Sequence, residues 1–178
     1  HLVVWKGGTE KMVTTPPHDI TGRQISSYLP QGDGADTLIE LMNKARAILA
    51  TLPLNQEKIK NGLKPANSIW LWGQGRSLSM PTFQEKYGIT GAVISAVDLV
   101  KGLGICAGLK PIEVPGATGY LDTNYEGKAR AALEALQSVD FVFLHVEAPD
   151  EASHKGSLDE KLQAIEDFDR RVVKLVLE

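Results

Sequence analysis

The sequence predicts an α/β fold, a mostly parallel sheet with helices on both of its faces, and two observations predict it. From residue 68 onward, short apolar segments of strand length alternate with segments whose apolar residues recur at helical spacing. Residues 141–146 form an apolar run without polar alternation, which is typical of a central strand buried on both faces. Strands that alternate with helices pair in parallel, because each helix carries the chain back across the sheet.

The individual elements follow from the same patterns. Strands are predicted at residues 2–5, 68–72, 91–95, 112–114 and 141–146. Helices are predicted at residues 38–52, 81–87, 96–107, 124–136 and 158–176. Thr37 with Glu40, and Ser157 with Glu160, have the spacing of capping boxes at helix starts. Pro53 is expected to end the first helix, and the polar stretch 53–67 is the best candidate for a domain boundary.

Composition excludes several classes of protein. A formal charge of −3 and a pI near 5.8 argue against a basic surface for nucleic acid. The single cysteine, Cys106, allows no intramolecular disulfide and is predicted to be a small core residue, which suits a cytoplasmic protein. No apolar run approaches the length of a membrane span, and the first residues do not have the pattern of a signal peptide. The chain starts without methionine and stops within a helical pattern, so we expect an internal fragment of a longer protein.

A candidate metal site follows the strand predicted at residues 141–146. Asp150 and His154 lie four positions apart, so one helical turn would place both side chains on one face. A carboxylate and an imidazole on one face can share a divalent metal ion. The alternative is a solvated loop, because this spacing is common by chance.

The residues around this pair closely resemble the metal-binding segment of the archaeal type of cofactor-independent phosphoglycerate mutases, a branch of the alkaline phosphatase superfamily. The resembling segment covers residues 145–154. Further blocks resemble the same family in the same order, at residues 17–22, 69–75, 91–102 and 114–125. The resemblance therefore extends over nearly the whole chain.

This resemblance implies an alkaline-phosphatase-like core in residues 65–178 and the C-terminal part of an inserted cap domain in residues 1–64. It also implies interconversion of 2- and 3-phosphoglycerate, a small phosphorylated substrate, through a phosphoserine at a site with two divalent metal ions (Mn, Zn, Fe, Co or Mg). Asp150 and His154 match two ligands of one metal. The nucleophilic serine and the remaining ligands are expected outside these residues, so the chain alone is expected to be inactive. The sequence predicts no oligomeric state.

Four further residues are candidates for contacts with substrate. His18 and Asp19 follow tandem prolines that hold the backbone extended. The resemblance implies that they lie in a loop facing the substrate. The alternative is a turn in which the Asp19 side chain accepts a hydrogen bond from its own backbone. Arg76 follows a glycine-rich turn that could cradle an anion, or that is a plain turn. Lys101 could stabilise charge on a transferred phosphoryl group as a catalytic residue, or it is a solvated helical lysine.

Two residues near the metal pair carry further expectations. Glu147 could orient a metal ligand, or it is a loop carboxylate. Ser153 stands where the resembling family usually has glycine, which matters if that position needs a positive φ.

Two alternative functions remain. A branch of the same family is proposed to act as homoserine kinase, and the form of residues 18–22 is compatible with it. The other alternative is a non-catalytic relative that serves as a binding module, against which the presence of both Asp150 and His154 argues.

Overall fold

The structure, a computed structural model, describes residues 2–178. It divides into two compact units, one ending at Ser77 and the other running from Leu78 to Glu178. The assignment of residues 1–64 to a cap domain and of residues 65–178 to a phosphatase-like domain stays a prediction. The α-helices are α1 (Ala35–Thr51), α2 (Pro53–Lys60), α3 (Phe83–Tyr87), α4 (Asp98–Cys106), α5 (Tyr125–Ala135), α6 (Ala148–His154), α7 (Leu158–Phe168) and α8 (Lys174–Leu177). The strands are β1 (Gly91–Ile94), β2 (Lys110–Ile112) and β3 (Phe141–Leu144).

The first unit contains α1, α2 and two short 3₁₀ turns, Pro17–Ile20 and Ile25–Tyr28. The predicted capping box at Thr37 is wrong, because α1 begins at Ala35, three residues before the predicted start, after Gly34 at φ 85°. That left-handed backbone favours glycine, and a Cβ there would lie 2.6 Å from Thr9 Cγ2. Pro53 does follow the end of α1, and it opens α2 at a position where a proline loses no helical hydrogen bond.

Two predicted strands of the first unit are wrong. Residues 2–5 form no strand and are exposed. Residues 68–72 also form no regular element. Side-chain hydrogen bonds link this stretch to residues 12–15 instead. Trp70 Nε1 donates to the Thr15 carbonyl at 2.8 Å, and Gln74 Nε2 donates to the Met12 carbonyl at 2.6 Å. An apolar run forms a strand only where a neighbouring segment supplies backbone hydrogen bonds. Within residues 2–77, neither segment has such a partner strand.

The second unit is built on a parallel sheet of three strands in the order β2-β1-β3. All four residues of β1 are buried, so β1 is the central strand. The prediction that residues 141–146 form the central strand is wrong, since β3 lies at an edge and Phe143 is 43% exposed. Gly91 explains how β1 fits between its neighbours, because a Cβ there would lie 2.6 Å from Leu109 and 3.1 Å from the Phe141 carbonyl oxygen.

Helices cover both faces of this sheet, as predicted. On one face α4 packs against Val93 of β1, together with Leu109 and Phe141. On the other face α5 packs beside Leu144 of β3 in a core of small residues that also includes parts of α6 and α7. The core members on that face are Tyr125, Ala129, Ala148, Ala164 and Val172.

Smaller differences from the predicted elements concern their ends. The strand predicted at residues 112–114 is β2, two residues earlier. The predicted helix over residues 158–176 is interrupted by a π-helical segment, Asp169–Val173. Cys106 is exposed at the end of α4, so its prediction as a core residue is wrong. Among residues 2–178, no helix is long and apolar enough to cross a membrane.

Candidate metal centre

The carboxyl ends of β1 and β3 lie side by side, because the two strands are parallel. The backbone N–H of His145, the first residue after β3, donates to the Ile94 carbonyl at the end of β1 at 2.8 Å. Helix α6 begins three residues later. Open α/β sheets place their ligand sites at this edge, so α6 carries its polar residues to the position where chemistry is expected.

Asp150 and His154 converge on one side of α6. Asp150 Oδ2 lies 3.3 Å from His154 Nε2, and the two side chains are 61% and 44% exposed. Two donors bound to one tetrahedral ion at about 2.1 Å each lie about 3.4 Å apart, so this separation fits a shared metal ion. A carboxylate oxygen and an imidazole nitrogen suit manganese, zinc or iron.

The chain contributes only part of a coordination shell. Within residues 2–178, no group of three or more histidine, cysteine, aspartate or glutamate side chains could hold a metal ion. Asp150 and His154 could therefore supply two ligands to a metal ion. The remaining ligands must be water molecules or groups beyond the described residues.

The backbone of α6 accommodates Ser153 without strain. No residue other than glycine has a positive φ among those described, so the position does not require the glycine that is usual in the resembling family. Ser153 Oγ donates to the Pro149 carbonyl one turn earlier, at 2.8 Å, and accepts from Lys161 Nζ at 2.7 Å. The serine thereby links α6 to α7.

Sequence reasoning missed a cluster of polar side chains at the same sheet edge. Glu147 Oε2 lies 3.1 Å from His145 Nε2, and His145 Nδ1 lies 3.2 Å from Ser95 Oγ. The Nδ1 atom of His145 and the hydroxyl of Ser95 share this hydrogen bond. Ser95 Oγ in turn accepts from the Val97 backbone N–H at 2.9 Å. Glu147 is thus joined to His145, rather than to the predicted metal ligands.

Lys128 is the second residue that was missed. Its side chain is fully buried in α5, and its Nζ donates to the His145 carbonyl at 3.2 Å. Burial lowers the pKa of Lys128, because an ammonium loses its hydration there, and the charge of Glu147 opposes this shift. The sequence pattern could have indicated this burial, because Lys128 lies on the same helical face as Tyr125, Ala129 and Ala132, which are all buried.

The structure pairs Lys101 of α4 with Glu113. The ammonium donates to both carboxylate oxygens, at 2.9 and 2.8 Å, and the lysine side chain is largely buried while Glu113 is exposed. The Glu113 carboxylate therefore partly neutralises this positive charge.

The other predicted substrate residues belong to the first unit. His18 Nε2 lies 3.8 Å from Asp19 Oδ1, and the His18 ring meets Trp72 edge to face at 5.4 Å. Arg76 does not stand as an isolated charge beside the glycine-rich turn, because its Nε donates to Glu10 Oε1 at 2.8 Å. This bond lowers the pKa of Glu10 and raises the pKa of Arg76.

Comparison with known proteins decides the family. Residues 30–178 match the sequence model of the Metalloenzyme superfamily. The chain belongs to the Metalloenzyme superfamily. Residues 1–55 also match the model described as 2,3-bisphosphoglycerate-independent phosphoglycerate mutase. Membership in the Metalloenzyme superfamily implies dependence on a divalent metal ion, which agrees with the exposed carboxylate and imidazole on α6.

Relatives with curated names are similar over at least 90% of the chain. A protein of Geobacter sulfurreducens named probable 2,3-bisphosphoglycerate-independent phosphoglycerate mutase is 60% identical over 97% of this chain and 43% of its own length. A mutase of Methanothrix thermoacetophila is 63% identical over 90% of this chain and 41% of its own length. The chain thus spans under half the length of these relatives.

A solved protein of Pyrococcus horikoshii is similar in structure. It shares 36% identity at a TM-score of 0.68, and the match covers 80% of this chain and 38% of that protein. Together with the family model and the relatives, this match confirms the predicted resemblance and the predicted fold class.

Proposed function

We propose that the protein containing this chain is a 2,3-bisphosphoglycerate-independent phosphoglycerate mutase, an isomerase that interconverts 2- and 3-phosphoglycerate through a phosphoserine. The observation that carries the proposal is the convergence of Asp150 and His154 on α6, 3.3 Å apart at the carboxyl edge of the sheet. The names of relatives at 60% and 63% identity support the reaction.

In this mechanism Asp150 and His154 hold one of two divalent metal ions (Mn, Zn, Fe, Co or Mg). A metal ion held there would neutralise negative charge on the phosphoryl group. The serine nucleophile and the second metal's ligands come from beyond this chain. For His154 to serve as a ligand its imidazole must be neutral, whereas Asp150 must be ionised.

Four other residues are proposed to contact the substrate. Lys101 approaches the transferred phosphoryl group as its bond to Glu113 is exchanged for one to a phosphoryl oxygen. His18, Asp19 and Arg76 contact the phosphorylated substrate. We propose a cytoplasmic enzyme that acts on a small molecule, not on nucleic acid or a membrane.

The test uses the full-length protein that carries this sequence. It is stripped of metal, reloaded with Mn²⁺ and assayed with 3-phosphoglycerate without bisphosphoglycerate, and in parallel with homoserine plus ATP. Asp150→Asn should lower mutase activity by more than about 100-fold, because the ligand loses its charge while its shape is kept. Glu151→Gln removes the neighbouring carboxylate and is the matched control, with activity close to the parent.

The outcomes separate the candidates. Mutase turnover that needs Mn²⁺ and Asp150 supports the proposal. Turnover of homoserine alone replaces it with the kinase alternative. Absence of both reactions from a folded, metal-loaded protein favours the non-catalytic relative.

A further inference from the structure

Helix α6 needs outside support to act as a ligand platform. It has only 7 residues, and isolated helices shorter than about 12–15 residues are marginal in water. Metal ligands must be held within about 0.5 Å of their working positions. The contacts that fix α6 therefore decide how well Asp150 and His154 bind a metal ion.

One such contact comes from Lys161 on α7. Its Nζ donates to the Pro149 carbonyl at 2.9 Å and to Ser153 Oγ at 2.7 Å. Pro149 directly precedes Asp150, and Ser153 directly precedes His154. The lysine thus bonds to the residue before each predicted ligand, and successive residues of a helix point about 100° apart, so the ligand side chains stay accessible.

A second contact lies at the entry to α6. Lys128 is fully buried and donates to the carbonyl of His145, the residue that leaves β3. A buried ammonium is unfavourable unless it is paired and hydrogen-bonded. Its placement against the connection between β3 and α6 is therefore a costly feature that fixes the path of the chain into the helix.

We propose that Lys161 and Lys128 are positioning residues that hold α6 at two points, so that Asp150 and His154 meet the metal ion already oriented. This inference rests on the proposed metal-binding role of the pair. Lys128 cannot contact substrate in this chain because it is fully buried. Lys161 acts through the carbonyl of Pro149 and the hydroxyl of Ser153.

The sign of the effect distinguishes positioning from simple electrostatics. Lys161 places a positive charge against the residues that precede both proposed ligands, so charge alone predicts that its removal tightens cation binding. Loss of positioning predicts the opposite. Partners that orient metal ligands typically contribute about 10- to 100-fold in metal affinity, which would outweigh the electrostatic gain.

The experiment measures the affinity of the full-length protein for Mn²⁺, from the electron paramagnetic resonance signal of the free ion. Lys161→Met should weaken Mn²⁺ binding about 10- to 100-fold and speed amide exchange in residues 148–154. Ser153→Ala, which keeps the charge of Lys161 but removes one acceptor, should produce a smaller loss in the same direction. Lys128→Met should also weaken binding, and Lys161→Met carries the test if that variant fails to fold.

Lys155→Met is the matched control. Lys155 follows His154 directly, and its Nζ lies 3.5 Å from Glu160 Oε2, so its removal deletes a nearby charge without releasing Pro149 or Ser153. Its affinity for Mn²⁺ should equal or exceed that of the parent. Equal or tighter binding by folded Lys161→Met overturns the inference. If Asp150→Asn leaves Mn²⁺ affinity unchanged, the proposed metal site fails, and the positioning role fails with it; if only Asp150→Asn weakens binding, the inference alone fails.

Discussion

Asp140 and Thr90 join the starts of β3 and β1. Asp140 Oδ2 accepts from both the backbone N–H and the hydroxyl of Thr90, each at 2.8 Å, and the Asp140 N–H donates to the Thr90 carbonyl at 3.2 Å. The backbone bond from Thr90, followed by the hydroxyl bond, lowers the pKa of Asp140, because both favour the ionised carboxylate.

The first prediction concerns the pH dependence of stability. Because the pKa of Asp140 is lowered in the folded state, the carboxylate stabilises the fold fully above the ordinary aspartate pKa of about 3.9. This contribution to the free energy of unfolding is lost as pH falls through the lower folded-state pKa. Asp140→Asn should therefore lower the melting temperature by a few degrees at pH 7 and by less near pH 2. Melting curves of parent and variant across this range check it, and parallel curves would contradict it. Thr90→Val should show a smaller version of the same effect.

The second prediction compares two glycines of α4. A Cβ on Gly104 would lie 2.6 Å from Val93 Cγ1, whereas a Cβ on Gly102 meets nothing within 4 Å. Alanine favours a helix over glycine by about 1 kcal/mol, so Gly102→Ala should stabilise the fold by up to about that amount. Gly104→Ala should destabilise it by about 1–3 kcal/mol, because it overpacks the contact between α4 and β1. Urea titrations measure both, and equal shifts of one sign would refute the packing explanation.

The third prediction concerns the ion pair between Arg171 and Glu126. Two parallel bonds of 2.5 and 2.9 Å link the π-helical segment to α5, and they lower the pKa of Glu126. Both side chains are about one third exposed, so Glu126→Gln should destabilise the fold by at most about 1 kcal/mol. The difference in free energy of unfolding between the parent and this variant should be largest above the ordinary glutamate pKa of about 4.3 and should shrink below it. Glu134→Gln, a change of exposed charge on the same helix, should leave the unfolding midpoint unchanged.

The fourth prediction concerns the 178-residue chain expressed alone. Two ligands leave most of a coordination shell to water, so Mn²⁺ should bind weakly and no mutase turnover should appear. Calorimetric titration with Mn²⁺ and a phosphoglycerate assay test this, with the full-length protein as the positive control. Metal-dependent turnover by residues 1–178 would show that the reaction needs nothing beyond them.

Most of the helices, and the approach of Asp150 to His154, could be predicted because both depend on local spacing, whereas α2 lies in the polar stretch that was predicted to be a domain boundary. The approach of Asp150 to His154 needs only one helical turn, so the sequence contains all the information that it requires. Strand order needs more than local pattern. The apolar run at residues 141–146 indicates burial, yet the central place goes to β1, where Gly91 allows a closer approach of both neighbouring strands.

The remaining features depend on contacts between distant parts of the chain. Ser95 and His145 are 50 positions apart and meet only because β1 and β3 are paired in parallel. Lys128 reaches His145 through the packing of α5 on the sheet. No local pattern predicts these distances, although a lysine on an apolar helical stripe identifies Lys128 as unusual.

The order of the strands also bears on how the chain folds during synthesis. β1 pairs first in sequence with β2, and its other neighbour, β3, is made only after α5. Parallel pairing of distant segments must close a long loop before any contact stabilises it, which slows folding. One edge of the apolar β1 therefore stays unpaired until residues 141–144 have been synthesised, and an unpaired strand edge can pair with another chain during that interval.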